Sequence, residues 1–121
     1  MSEFKVLLVD DEEDFTQALG ERLQLRDYTV RVASSGEECL QELENGVPDV
    51  VILDLKMPGL GGIEVLKRIR EDYPGLPVLL LTGYGSTEEG IKGMQLGASD
   101  YLMKPLNIED LISKIHQAVG Q

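Results

Sequence analysis

Five short apolar runs rich in Val, Leu and Ile, each followed by a segment of helical length, set the narrowest limit on what this chain can become. The runs are Val6 to Val9, Thr29 to Ala33, Val50 to Leu53, Val78 to Leu81 and Tyr101 to Met103. Three are continuously apolar rather than alternating, the pattern of a strand covered by helices on both faces of a parallel sheet; the other two read as edge or shorter strands. In the last helical segment Ile108, Leu111, Ile112, Ile115 and Val119 recur at helical spacing, so one face packs on the sheet. The first helix offers Phe15, Ala18, Leu19 and Leu23 at core spacing, and another runs from about Ile63 to Asp72 before the turn Tyr73-Pro74-Gly75. Ser35 with Glu38, and Ser86 with Glu89, have capping-box spacing, and Asn107 can cap the last helix.

A strand-helix unit repeated five times calls for a doubly wound α/β domain; a closed barrel needs eight such units. The 121 residues lie near the modal size of one domain, with no linker or repeat, so a single domain over 1–121 without a fused output domain is expected. With 11 Lys+Arg against 22 Asp+Glu the net charge is −11, which argues against nucleic acid or an anionic membrane held by bulk charge. No apolar run approaches a membrane span and no basic flank precedes the first one, so the expected location is cytoplasmic. Cys39, the single cysteine, leaves no internal disulfide or multi-cysteine metal site and reads as a small core residue.

Open α/β sheets bind ligands beyond the carboxyl ends of their strands, where strand order reverses. Asp10 and Asp11 follow the first run, Asp54 the third, Thr82 the fourth and Lys104 the fifth, whereas the second ends in uncharged Ala33 and Ser34. In a sheet ordered 2-1-3-4-5 these five side chains converge. Clustered carboxylates repel, and unless something compensates at least one keeps its proton. A divalent cation compensates, and a few hard oxygen ligands with room for water suit Mg²⁺. Thr82 and Lys104 then serve as donors to the oxygens of a phosphoryl group, and an aspartate can be the nucleophile that forms an acyl phosphate. Singly, each residue has a plain use as a cap, a turn former or a surface lysine; jointly, at the ends of different strands, they leave that reading little room. His116, beside core-facing Ile115, reads as a surface residue.

The segments Val-Asp-Asp at 9–11, Leu-Asp-Leu-Lys-Met-Pro-Gly at 53–59, Leu-Thr-Gly at 81–83 and Tyr-Leu-Met-Lys-Pro at 101–105 follow in order along the chain. Together they resemble the receiver domain of two-component response regulators over essentially the whole length. The resemblance implies a flavodoxin-like five-stranded parallel sheet of order 2-1-3-4-5 with five helices, as in chemotaxis-type regulators. It implies Asp54 as phosphoacceptor, Asp11 as a direct Mg²⁺ ligand, Asp10 as a ligand through water, and the backbone carbonyl of Lys56 as a further ligand. Thr82 and Lys104 would bind the phosphoryl oxygens, and the Lys104-Pro105 bond would be cis. Tyr101 occupies the position of an aromatic that turns inward on phosphorylation. The implied partners are a histidine kinase or histidine phosphotransfer protein docking near the first helix, and an output domain or downstream protein. A phosphorylation-dependent homodimer through helix 4, strand 5 and helix 5 is a family option. Such a domain catalyses only its own phosphorylation and dephosphorylation.

The more variable neighbours are Lys56, two residues after the acceptor, and Tyr84, two after Thr82; a bulky Tyr84 is expected to shield an acyl phosphate from water. The segment Ser86 to Gly97 carries internal Gly90 and Gly93 and a thin apolar face of Ile91, Met94 and Leu96, so it is expected to be the least stable helix. Of the competing readings, a haloacid-dehalogenase-type phosphatase needs Asp-x-Asp where this chain has Asp10-Asp11-Glu12. A flavodoxin-like electron carrier needs a phosphate loop where this chain has acids from Asp10 to Asp14.

Overall fold

The apolar runs form one five-stranded parallel sheet in the order β2-β1-β3-β4-β5, with β1 at Phe4–Val9, β2 at Tyr28–Ala33, β3 at Val50–Asp54, β4 at Val78–Thr82 and β5 at Asp100–Met103. Helices α1 (Glu13–Gln24), α2 (Gly36–Asn45), α3 (Gly62–Asp72), α4 (Thr87–Gln95) and α5 (Ile108–Ala118) alternate with them. The computed structural model describes residues 4–57, 59–83 and 87–120. The expected edge strands, β2 and β5, are the edges, and every residue of β3 and β4 is buried. Among the described residues no helix is long and apolar enough to cross a membrane.

Because side chains alternate along a strand, each continuous apolar run feeds two cores. Leu7, Val9, Val51, Leu53, Val78 and Leu80 face α2 and α3, packing on Leu43, Val65, Leu66 and Ile69. Val6, Leu8, Val50, Ile52, Leu79 and Leu81 face α1 and α5, packing on Leu19, Leu23, Leu111 and Ile115. Cys39 is fully buried in the first core, where burial, followed by the charge of Glu42, pushes its thiol pKa up to about 12. It is a core residue, as expected.

The caps follow the sequence with one shift. Ser35 Oγ accepts the Glu38 N–H at 3.1 Å, but the Glu38 carboxylate reaches back to Ser34, accepting its N–H at 3.2 Å and its hydroxyl at 2.7 Å. Asn107 accepts the Asp110 N–H at 3.1 Å at the start of α5. Ser86, and with it the second capping box, lies outside the described residues.

Two apolar faces are corrected. In α1, Ala18 is exposed, and Thr16 and Gly20 join Leu19 and Leu23 on the buried stripe. Gly20 faces Val30 and Leu8, and a Cβ there would lie 3.7 Å from Val30 Cγ1 and 3.9 Å from Leu8 Cδ1, ordinary contact distances. In α4, Ile91 and Met94 do not face the sheet but stand 51% and 38% exposed, while Gly90 and Gly93 are buried. The helix lies so close to β4 that a Cβ on Gly93 would collide with Leu80 Cδ1, so no side chain fits at that position. Leu96 does pack on the core. Gly62 opens α3 against the end of β3: a Cβ there would fall 2.6 Å from the carbonyl oxygen of Asp54 and 2.6 Å from Leu55 Cα.

Candidate functional site

The carboxyl ends of β1 and β3 lie side by side at the reversal of strand order, with Val9 paired to Ala33 on one side and to Leu53 on the other. Asp10 extends β1 by one step, its N–H donating to the Ala33 carbonyl at 3.1 Å, and its Oδ1 accepts the Glu12 N–H at 3.0 Å. Asp54 closes β3. Asp10, Asp11 and Asp54 each bring a carboxylate oxygen within 4.8 Å of the other two. Asp10 and Asp54 are buried, at 1% and 4% exposure, and Asp11 forms the exposed rim.

Lys104 reaches into this group from the end of β5. Its Nζ lies 2.7 Å from Asp10 Oδ2, 2.6 Å from Glu12 Oε1 and 3.8 Å from Asp54 Oδ2. It also sits 4.5 Å from the centroid of the Phe15 ring, within cation–π range. The Lys104-Pro105 bond is cis, as the resemblance implies.

The charges do not balance. Burial, and then the charge of Asp10, push the Asp54 pKa up to about 7, against the opposing pull of the Lys56 N–H and of Lys104. That N–H donates to Asp54 Oδ1 at 3.2 Å. For Lys104, burial works against the ammonium, yet hydrogen bonds to Asp10 and Glu12 and the charges of Asp54 and Asp10 raise its pKa above the ordinary value. A buried surplus of negative charge made of hard oxygen donors, open on the Asp11 side, fits a divalent cation such as Mg²⁺.

The remaining expected residues lie around this centre. Thr82, buried at the end of β4, pairs with Met103, and its hydroxyl donates to the Leu102 carbonyl over a long 3.4 Å. Tyr101 is half-buried and packs under α4, where a Cβ on Gly90 would fall 3.4 Å from its ring and 3.6 Å from the Thr82 methyl. Lys56 is exposed, and its N–H rather than its ammonium touches Asp54. Tyr84 lies outside the described residues. His116 stands on the surface, its Nε2 3.2 Å from the Tyr28 hydroxyl at the amino end of β2, remote from the acidic group. Sequence reasoning missed Glu12. Within the acidic stretch from Asp10 to Asp14 nothing marks it out; only the fold brings Lys104 to it.

Residues 6–116 match the family model described as "Response regulator receiver domain". Among curated proteins, the chain is 37% identical over 121 residues to the "Uncharacterized transcriptional regulatory protein YkoG" of Bacillus subtilis (strain 168), covering all of this chain and 53% of that protein. It is 40% identical over 111 residues to the "Transcriptional regulatory protein CpxR" of Escherichia coli (strain K12), covering 92% of this chain and 47% of CpxR. The chain thus spans about half the length of these curated relatives. Among solved structures, a response regulator receiver domain protein from Clostridium thermocellum superposes with a TM-score of 0.92 at 36% identity, covering 97% of this chain and 94% of that one. The receiver domain of NtrX from Brucella abortus superposes with a TM-score of 0.91 at 29% identity, covering 96% and 98%. Sequence, strand order and the acidic group at the sheet's reversal agree, and the chain belongs to the response regulator receiver domain family of two-component systems, a regulatory rather than an enzyme family.

Proposed function

We propose that residues 1–121 form one phosphoacceptor module of the cytoplasm, in which Asp54 takes a phosphoryl group from a histidine kinase or histidine phosphotransfer protein and the phosphorylated form regulates an output domain or partner protein. The observation that carries this reading is the buried Asp54 carboxylate, grouped within 4.8 Å of Asp10 and Asp11 and faced by the Lys104 ammonium at 3.8 Å. Asp10, Asp11, Asp54 and the Lys56 carbonyl would hold Mg²⁺, which supplies the positive charge that attack of a carboxylate on a phosphoryl group requires. Thr82 and Lys104 donate to the phosphoryl oxygens; the Thr82 bond to Leu102, at 3.4 Å, is weak enough to exchange for one. Tyr101, packed at Gly90 beside Thr82, carries that movement to the outer face of α4 and β5.

A groove of about 600 Å³ opens beside Lys104 between α1 and the segment leading to α5, lined by Phe15, Ala18, Leu19, Arg22 and Leu106. Its apolar floor next to the site suits a docked donor domain, and the exposure of Ala18 belongs to this surface. With a net charge of −11 the module itself makes no direct nucleic-acid contact. The test is intact mass after incubation with Mg²⁺ and a small acyl-phosphate donor. A gain of one phosphoryl group, lost with chelator and in Asp54→Asn, is expected; donor turnover without any gain would favour a phosphatase and overturn the reading.

A further inference from the structure

The Lys104 ammonium is shared among three carboxylates, and one outside the metal-binding group holds it as closely as Asp10 does: Glu12 Oε1 at 2.6 Å and Asp10 Oδ2 at 2.7 Å, against 3.8 Å for Asp54. Glu12 does not join the cluster formed by Asp10, Asp11 and Asp54. It is the N-cap of α1, in extended conformation, but its side chain makes no capping hydrogen bond. Short side chains cap best, and this longer one crosses instead to a residue 92 positions away. The Asp10 Oδ1 bond to the Glu12 N–H fixes the backbone from which it reaches. Asp10 is buried beside Asp54, whereas the Glu12 side chain is 64% exposed.

We propose that Glu12 is a positioning residue for Lys104, a competing carboxylate that holds the ammonium toward solvent until a phosphoryl group on Asp54 draws it inward. This rests on the phosphoacceptor reading and adds the regulation of that site: the occupancy of Lys104 on the phosphoryl oxygens is set partly by Glu12. An ammonium moving toward Asp54 can keep its Asp10 contact, because both carboxylates belong to the same close cluster. The Glu12 contact is the one given up. Glu12 therefore weakens phosphoryl binding.

The experiment measures the affinity of the whole chain for beryllofluoride with Mg²⁺, a phosphoryl probe, in the wild type and in Glu12→Gln, Glu12→Asp and Glu13→Gln. Glu12→Gln removes the charge. Glu12→Asp keeps it but shortens the reach, and Glu13→Gln removes an exposed charge from the next residue. Both Glu12 variants should bind about two- to five-fold more tightly, the range that a partly exposed ion pair supports, with Glu13→Gln unchanged. A Glu12→Asp variant that binds like the wild type, or a Glu13→Gln gain equal to that of Glu12→Gln, would show that bulk charge alone acts and overturn the proposal. As a second readout without metal or probe, the side-chain NMR signal of the Lys104 ammonium should lose its shelter from exchange in both Glu12 variants; an unchanged signal also overturns it. A wild-type chain that fails to bind the probe would instead overturn the phosphoacceptor reading, an outcome distinct from normal binding with unmoved variants.

Discussion

Lys104 Nζ stands 3.8 Å from Asp54 Oδ2, beyond hydrogen-bond reach yet close enough to act through charge. Its pull is already outweighed by burial and by Asp10, which together hold the Asp54 pKa at about 7. Lys104→Met should therefore raise that pKa further in the metal-free chain, read from the pH dependence of the Asp54 carboxyl carbon resonance. The same variant should accept phosphoryl groups roughly 100-fold more slowly, the usual cost of removing one donor from a charged transition state. An unmoved titration would contradict the electrostatic account.

The displaced Asp54 pKa also fixes a sign for stability. Between its ordinary value of 3.8 and about 7 the folded chain keeps a proton that the unfolded chain has released. The stability this gives is complete below about pH 4 and is lost as pH rises through 7. In chelator the wild type should become less stable from pH 5 to pH 8, while Asp54→Asn shows a flatter profile. One pKa unit corresponds to about 1.4 kcal/mol, so at pH 8 the variant should be more stable by roughly 2–4 kcal/mol in urea unfolding. Mg²⁺ should reverse the order, and its affinity should climb with pH up to about 7 and then level off, because the metal needs the ionised carboxylate.

Two glycines three residues apart on one helix face should respond to alanine with opposite signs. At Gly93 the new methyl group collides with buried Leu80, and overpacking of about 1–3 kcal/mol exceeds the helix-propensity gain of up to about 1 kcal/mol. At Gly90 the methyl group meets Tyr101 at 3.4 Å and Thr82 at 3.6 Å, ordinary contact distances, so the propensity gain survives. Thermal unfolding should place Gly93→Ala below the wild type and Gly90→Ala above it. The same sign for both would contradict the placement of α4.

With Gly90 and Gly93 on its inner face and Ile91 and Met94 turned outward, α4 packs little side-chain surface against the sheet, so it should open readily. Amide exchange should find it the fastest-opening helix. Uniform protection across all five would contradict this.

The sheet was legible because five apolar runs at strand length admit few alternatives, and Asp10, Asp11, Asp54, Thr82 and Lys104 were legible because each lies within two residues after a run. Side-chain direction within α1 and α4 was not. Hydrophobic periodicity assigns Ala18, Ile91 and Met94 to the core, whereas the inner faces belong to Thr16 and Gly20 in one helix and to Gly90 and Gly93 in the other. A glycine in sequence signals backbone freedom or helix weakness; that Gly62 and Gly93 are seats for close approach becomes visible only against Asp54 and Leu80. Glu12 stayed hidden for a related reason, since its partner lies 92 residues away.

The central claim is that the Asp54 carboxylate carries the phosphoryl group. Reduction of the phosphorylated chain with borohydride converts an aspartyl phosphate to homoserine, and peptide mapping then locates it. Homoserine at position 54, dependent on Mg²⁺ during phosphorylation, is the predicted result; homoserine at 10 or 11, or none despite a phosphoryl mass gain, would contradict the account.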